Sequence, residues 1–225
     1  MLCVYTKPYM KRLLLYSICL LVTFFTACSK KSDKVDPSGL VTINATQYPT
    51  VLIGNQTWTS VNYNGPGGVN YNDTAINKPI NGKLYTVAEA EALSLPKGWR
   101  LPARDDWNNL FYTMMGQSYP NDGPASPPNS LVPNMMLDTA WEMTRSLKPN
   151  GFNAVPAGAY TSWFLPSQRF YGKGWLSVFL TSSVNPDLTP MNFYIQDING
   201  IVNAVWGQYV TAPTDRGSVR FVKDN

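Results

Sequence analysis

Only two stretches of this chain carry the periodicity of an amphipathic helix, and both lie in its middle third. In the first, Thr86 and Glu89 have the spacing of a capping box, in which each side chain bonds the other residue's backbone amide. Apolar residues then recur at Ala88, Ala92 and Leu95. We therefore expect a short helix that starts after Thr86, buries this apolar face and ends just before the next proline.

The second helical stretch follows a proline and is more strongly apolar. Four large residues lie at the spacing i, i+3, i+4 and i+7, namely Trp107, Leu110, Phe111 and Met114. Gly116 follows them, and glycine is a common residue at the C-terminal end of a helix. We expect this helix to bury its aromatic face in the core.

The rest of the chain carries strand patterns and long loops. Strand-like runs are predicted at residues 51–53, 56–58, 152–157, 175–181, 191–196, 201–206 and 218–222. Gly54-Asn55 has the signature of a type II′ hairpin turn, and Asn199-Gly200 marks a second hairpin. Because helices and strands do not alternate along the chain, the predicted fold class is α+β, not a parallel βαβ sheet.

One polar stretch in this region could be catalytic or architectural. Residues 94–110 (SLPKGWRLPARDDWNNL) place Asp105 and Asp106 beside two tryptophans and two arginines. The pair could form an acid/base dyad, but both residues fall in the first turn of the second predicted helix. There the positive end of the helix dipole favours carboxylates. We prefer this helix-terminus interpretation.

The N-terminus has the features of a secretory signal. Three basic residues precede an apolar run of 13 residues, and small residues precede Cys28. A membrane anchor is the alternative, but the run is shorter than the ~20 residues that span a bilayer. The segment before Cys28 resembles a bacterial lipobox. We expect residues 1–27 to be removed, Cys28 to be lipidated, residues 28–39 to form a flexible tether and residues 40–225 to form one domain.

Composition excludes several classes of function. The chain has no histidine and no cysteine after Cys28, which removes Ser-His and Cys-His nucleophile systems, disulfides and thiolate metal sites from the body. Beyond residue 27 there are 15 basic and 14 acidic residues, a net charge of +1 that gives no strong field for nucleic acid. We therefore expect neither a nucleic-acid partner nor a cofactor; calcium stays open, although no motif supports it.

Five sequence blocks stand out in chain order: residues 53–58 (IGNQTW), 98–102 (GWRLP), 151–158 (GFNAVPAG), 179–183 (FLTSS) and 217–224 (GSVRFVKD). Together they resemble the Fibrobacter succinogenes major paralogous domain (FISUMP), a family found in lipoproteins of Bacteroidetes-type bacteria. The resemblance implies a C-type-lectin-like fold, with two short helices packed on antiparallel sheets with long loops. It also implies an outer-membrane lipoprotein of the cell envelope, on its periplasmic or surface-exposed face. The family has no settled activity.

The chain departs from the family pattern at three places. Leu95 and Phe221 replace a cysteine pair, which suggests an apolar contact where the family has a disulfide. Ala103 replaces the threonine before the second helix and removes a capping oxygen. The calcium-binding triplets of sugar-binding C-type lectins are also missing, so calcium-dependent sugar binding is not implied.

The candidate ligand surface is an aromatic loop, residues 159–175 (AYTSWFLPSQRFYGKGW), between two predicted strands. Aromatic faces beside amide and guanidinium donors suit sugars or peptides. The alternative is a loop that packs its own aromatic side chains. The residues predicted to bind ligand are Trp163, Phe164, Gln168, Arg169 and Tyr171.

Two short motifs resemble O-glycosylation acceptors of Bacteroidetes. They are Asp-Thr-Ala tripeptides with acceptors at Thr74 and Thr139, and both fall in predicted loops.

These patterns favour a lipid-anchored binding or adhesion module that recognises a glycan or a surface protein. The first alternative is a structural subunit of an envelope assembly with no small ligand. The second is a carboxylate-based enzyme, which would need a cluster of acidic groups with raised pKa values in a cleft. Without histidine or cysteine in the body, we expect no enzymatic activity.

Overall fold

The structure is a computed structural model that describes residues 39–73, 79–117, 128–137, 139–141, 150–162, 169–207 and 209–225. All of these residues belong to one compact unit, Val35–Asn225. The strands are β1 (Gly39–Ile43), β2 (Thr46–Ile53), β3 (Gln56–Thr59), β4 (Leu84–Tyr85), β5 (Ala159–Thr161), β6 (Arg169–Tyr171), β7 (Leu176–Val184), β8 (Pro190–Ile198), β9 (Ile201–Gly207), β10 (Gly217–Ser218) and β11 (Val222–Asp224). The helices are α1 (Val87–Glu91) and α2 (Arg104–Met114).

The strands form two sheets and one separate hairpin. The first sheet has the order β1-β2-β3-β11, the second has the order β4-β10-β7-β8-β9, and β5 pairs with β6 alone. The fold is therefore mostly strands with two short helices, in agreement with the predicted α+β class. The expectation of purely antiparallel sheets is wrong, because β10 runs parallel to β7.

Local turn chemistry accounts for the two hairpins predicted from sequence. Gly54 joins β2 to β3 with φ 64°, a left-handed conformation that glycine adopts without steric cost. Asn199 (φ 54°) and Gly200 (φ 78°) join β8 to β9, as a type I′ turn requires. Both hairpins are confirmed.

The first helix begins as predicted but is shorter. The Thr86 hydroxyl accepts the Glu89 amide at 3.1 Å, and the Glu89 carboxylate accepts the Thr86 amide at 2.8 Å, so the capping box is confirmed. The helix ends at Glu91, and the predicted buried face is wrong, because Ala88 and Ala92 are exposed. Ala90 faces the interior instead.

The second helix matches its prediction more closely. Trp107, Leu110 and Phe111 are buried, and the helix ends at Met114, before Gly116 with φ 68°. Ala103 occupies the N-cap position without a capping side chain, but its own amide donates to Asp106 Oδ2 at 2.8 Å.

Two of the predicted strands do not form as single strands. Residues 152–157 make only an isolated bridge, Met136 to Ala154, because Asn153 turns left-handed (φ 54°) and Pro156 lacks an amide hydrogen. Residues 218–222 divide between β10 in the second sheet and β11 in the first. The chain crosses between the sheets at residues 219–221, which are all buried.

The two buried clusters are aromatic. In the first, Trp58 and Trp107 pack with ring centroids 5.1 Å apart, and Phe152 and Phe179 lie against them. All four side chains are fully buried, while Trp99 is only partly buried, against the second cluster.

The second cluster contains Phe221. Phe221 is fully buried there, beside Tyr63 at 5.3 Å, and Leu95 packs partly buried against the same cluster. The direct contact between Leu95 and Phe221 stays a prediction. No helix among the described residues is long and apolar enough to cross a membrane.

Fully and partly buried tyrosines make the stability of this fold sensitive to alkaline pH. Burial raises the pKa of five phenols, at Tyr48, Tyr71, Tyr85, Tyr194 and Tyr209, the last to about 12. Near pH 10 an unfolded tyrosine loses its proton while the folded one keeps it. The stabilisation by these groups is therefore complete below pH 10 and is lost above it.

We expect the urea midpoint of unfolding to fall between pH 10 and pH 12. A Tyr209→Phe variant should show a shallower fall, because one of the five groups no longer titrates. A midpoint that stays constant or rises over this range would contradict this prediction.

Candidate functional site

The Asp-Asp pair at the start of α2 divides into one exposed and one buried carboxylate. Asp105 is 68% exposed and lies 3.6 Å from Arg104. Asp106 is buried, and its Oδ1 accepts Arg100 Nη2 at 2.7 Å and Gln56 Nε2 at 2.6 Å. The two carboxylates have separate partners, which favours the helix-terminus interpretation over a dyad.

Asp106 belongs to a clamp that ties α2 to the neighbouring strands β3 and β11 of the first sheet, where Gln56 and Asp224 pair. Arg100 Nη2 also reaches Asp224 Oδ2 at 2.8 Å, and Gln56 Nε2 reaches Asp224 Oδ1 at 2.9 Å. Burial raises the pKa of the Asp106 carboxyl, although bonds to the Ala103 amide, Arg100 and Gln56 oppose this shift. Both carboxylate oxygens of Asp106 are engaged in hydrogen bonds, one of them with Arg100 of the GWRLP block. The block therefore has a structural role in this clamp.

The predicted ligand residues fall on and around the β5–β6 hairpin. Trp163, Phe164 and Gln168 lie outside the described residues. Arg169 is exposed at the start of β6, and Tyr171 is partly buried at its end.

The inner face of this hairpin is packed against the second cluster. Ala159 and Thr161 are buried, and they pair across the hairpin with Tyr171 and Arg169. The Tyr171 ring meets the Trp175 ring edge to face at 5.2 Å. Tyr171 therefore has a packing role, and its predicted role in ligand binding stays untested.

The opposite face of the hairpin carries a different aromatic group. Tyr160 and Phe170 pair across the strands with ring centroids 4.9 Å apart, and Tyr71 packs on Phe170 at 5.1 Å. All three rings are partly exposed. We call Tyr71, Tyr160, Phe170 and the adjacent Lys173 the outer aromatic face.

Lys173 gives this face its positive charge. Its exposed ammonium lies 5.1 Å from the centre of the Tyr71 ring, within the range of a cation–π interaction. The Lys173 backbone amide also bonds the Tyr71 hydroxyl, while burial raises the pKa of this phenol. Tyr71 is thus held in place as a neutral hydrogen-bonding group at physiological pH.

Gly158, the last residue of the GFNAVPAG block, lets the outer aromatic face assemble. Its φ is 75°, and a Cβ there would lie 2.6 Å from the Tyr171 carbonyl oxygen and 2.7 Å from Tyr71 Cε2. Only glycine allows the β6 backbone and the Tyr71 ring to approach this closely. The block therefore positions Tyr71 against the hairpin.

Sequence reasoning missed Tyr71 and Tyr160 as site residues. Tyr71 comes from a Gly/Asn-rich loop with no periodicity, and its partner Phe170 lies far along the chain. The alternation within β5 and β6 could have separated Phe170 from Arg169 and Tyr171, because neighbouring residues of a strand point to opposite faces.

The other predicted sites are only partly described. Thr139 is exposed, as an acceptor for glycosylation must be, while Thr74 and Cys28 lie outside the described residues. Within the described part of the chain, no group of three or more acidic, histidine or cysteine side chains is arranged to hold a metal ion.

Comparisons with known proteins add no relative. Neither models of protein families, nor curated proteins, nor solved structures match this chain.

Proposed function

We propose that this chain is a binding module that holds a glycan on the outer aromatic face. The supporting observation is a set of three partly exposed rings, Tyr71, Tyr160 and Phe170, beside the Lys173 ammonium. The apolar face of a sugar ring can pack on such rings, while hydroxyl and ammonium groups fix its orientation. A surface protein is the alternative ligand.

The geometry suits recognition better than catalysis. The raised-pKa carboxylate, Asp106, is buried in the clamp, and its oxygens are used by three donors. General acid–base catalysis needs a group that can reach the substrate's proton. We therefore propose that the chain is not an enzyme.

We also propose the family and the fold type that the five sequence blocks imply. The chain would be a FISUMP lipoprotein with a C-type-lectin-like fold, anchored in the outer membrane by acylated Cys28. The mostly stranded body with two short helices is compatible with this assignment. Fold likeness would not by itself establish glycan binding, which depends on the outer aromatic face.

The lipid anchor has a direct test. We expect mass spectrometry of membrane-extracted protein to find an acylated N-terminal Cys28, because a basic segment, a short apolar run and small residues precede it. A mature protein that begins at Met1 in the native host would contradict the anchor.

Glycan binding should depend on the outer face and not on the inner one. We expect Tyr160→Ala to weaken binding of a glycan found in an array screen by about 1–3 kcal/mol, the scale of an interface hot spot. Its melting temperature should fall only by a few degrees, since the ring is partly exposed.

Tyr171→Ala is the matched control. It removes a tyrosine from the same hairpin, but from the face that packs on Trp175. It should lower the melting temperature more than Tyr160→Ala and leave the glycan dissociation constant nearly unchanged. Equal losses of binding in both variants would argue against an outer-face site.

A second candidate function is a structural subunit of an envelope assembly. One observation favours it: Ile198 and Ile201 flank the turn between β8 and β9, with Ile201 68% exposed at the tip. Strand β9 is also an edge of the second sheet. An apolar tip beside an edge strand is typical of a contact between subunits.

A further inference from the structure

A groove lies between α1 and the turn that joins β7 to β8. It has a volume of about 360 Å³. Helix α1 contributes Val87, Ala88 and Glu91, the turn contributes residues 187–190, and residues 211–213 close the third side. The groove thus contains Ala88, the residue of α1 that sequence analysis expected to be buried.

The turn holds a large apolar side chain out toward solvent. Leu188 is 79% exposed and has φ 64°, a conformation that is rare and costly for a leucine. Hydrogen bonds fix the turn around it: the Leu188 amide donates to the Asn185 carbonyl at 2.9 Å, and the Asn185 amide donates to the Thr189 carbonyl at 2.8 Å. The hydrogen-bonded turn therefore holds Leu188 in a fixed position with its side chain exposed to solvent.

The charged side chains that line the groove are all negative. Its ionisable lining residues are Glu91 and Asp187, both acidic and both exposed. Asp187 Oδ1 accepts the Thr189 hydroxyl at 2.6 Å and the Thr189 amide at 3.1 Å. These bonds lower the pKa of Asp187, so its carboxylate stays ionised at any physiological pH. No lysine or arginine is among the lining residues.

We propose that this groove binds an extended peptide segment of a partner protein, with a lysine or arginine flanked by small apolar residues. The exposed Leu188, Ala88 and two prolines of the lining provide apolar contact for small side chains. The two carboxylates favour a cationic side chain and disfavour an acidic one. The volume suits a few residues of peptide better than a folded domain. This site uses different residues from the outer aromatic face and does not depend on the proposed glycan function.

The test uses the full chain and two pools of fluorescent hexapeptides. Both pools have alanine, valine, proline or serine at four positions; one pool has lysine at the two central positions and the other has glutamate. We expect fluorescence anisotropy to detect binding of the lysine pool and at least tenfold weaker binding of the glutamate pool. No binding of the lysine pool, or equal binding of both pools, would overturn the proposal.

Charge reversals on the two helices separate the groove from a general charge effect. Glu91→Lys should weaken binding of the lysine pool at least tenfold. Asp105→Lys, an equivalent reversal of an exposed acid on α2, should change it less than twofold. Equal losses in these two variants would show that the peptide responds only to net charge.

A third variant tests the apolar part of the groove. Leu188→Gly should weaken peptide binding at least fivefold while the melting temperature stays the same or rises, because glycine accepts φ 64° without strain. Unchanged binding in this variant would remove Leu188 from the site and overturn the proposed apolar contact.

Discussion

Replacing Arg220 with methionine should destabilise the protein by about 4 kcal/mol, a large part of the stability of an ordinary domain. The Arg220 side chain is buried, and its three nitrogens donate to four acceptors. The acceptors are Asn62 Oδ1 at 2.7 Å, the Thr59 and Phe152 carbonyls at 2.8 Å and the Asn153 carbonyl at 2.9 Å. Methionine fills similar space but leaves these buried acceptors unpaired, at about 1–3 kcal/mol for each one that finds no other donor.

The environment of Arg220 explains why a charge can be kept there. The guanidinium lies 4.7 Å from the Phe152 ring centre and 5.8 Å from that of Phe179, so the ring faces add to the hydrogen bonds. Burial lowers the pKa of Arg220 to about 9, and it stays charged at neutral pH. Arg220 thus joins β3, the 151–158 block and the crossing segment between the sheets.

The measurement is the urea unfolding free energy at pH 7. Arg104→Met is the control, because it removes a half-exposed arginine with one weak ion pair and should cost less than about 1 kcal/mol. If Arg220→Met does not fold, Arg220→Lys serves in its place. Lysine keeps the charge, but its compact ammonium group cannot reach all four acceptors as the forked guanidinium does. The Arg220→Lys variant should therefore still be clearly destabilised. Wild-type stability in either Arg220 variant would contradict this role.

The second large effect should come from the buried acid of the Asp-Asp pair. We expect Asp106→Ala to destabilise the protein by about 2–3 kcal/mol, because the Ala103 amide loses its acceptor and Arg100 and Gln56 each lose one of two carboxylate partners. Arg100 and Gln56 would keep Asp224 of β11 as a partner, but the Asp106 link between α2 and this network would be lost.

Asp105→Ala is a control from the adjacent position. Both acids lie in the first turn of α2 and interact with the helix dipole, so the difference between the two variants isolates the clamp. The Asp105 variant should lose less than about 1 kcal/mol in urea unfolding. Equal losses would mean that the helix dipole, and not the buried network, explains the pair.

Features that depend on residues close together in the chain could be predicted from the sequence. The capping box at Thr86 and the hairpin turns at Gly54 and Gly200 are set by local backbone geometry, and all three form as predicted. Helix α2 also follows its pattern, because Trp107 and Phe111 bury the face that the spacing indicated.

The predictions are wrong or incomplete where the local structure depends on contacts with residues far along the chain. The segment 152–157 looks extended and apolar, but its carbonyls at Phe152 and Asn153 accept bonds from Arg220, far along the chain. The pattern at 218–222 cannot show that the chain leaves one sheet for the other at Val219. No local signal in a Gly/Asn loop indicates that Tyr71 meets Phe170.

The same distinction applies to the candidate site. Residues 159–175 were predicted as an aromatic loop, and this is wrong in part, because residues 159–161 and 169–171 form the β5–β6 hairpin, whose strand pairing divides its side chains between two faces. Tyr171 packs inward, while Phe170 faces Tyr71 and Tyr160. Which side of the hairpin is exposed depends on the second cluster beneath it, whose members are spread along the chain from Val41 to Phe221.

The central claim is that the outer aromatic face binds a glycan, and a glycan array tests it most directly. The full chain and a Tyr71→Ala/Phe170→Ala double variant would be applied at equal concentrations, after circular dichroism has shown that both are folded. We predict that the wild-type chain binds a defined group of glycans and that the double variant loses this binding. A folded wild-type chain that binds no glycan, or a double variant that keeps the same glycans, would contradict the claim.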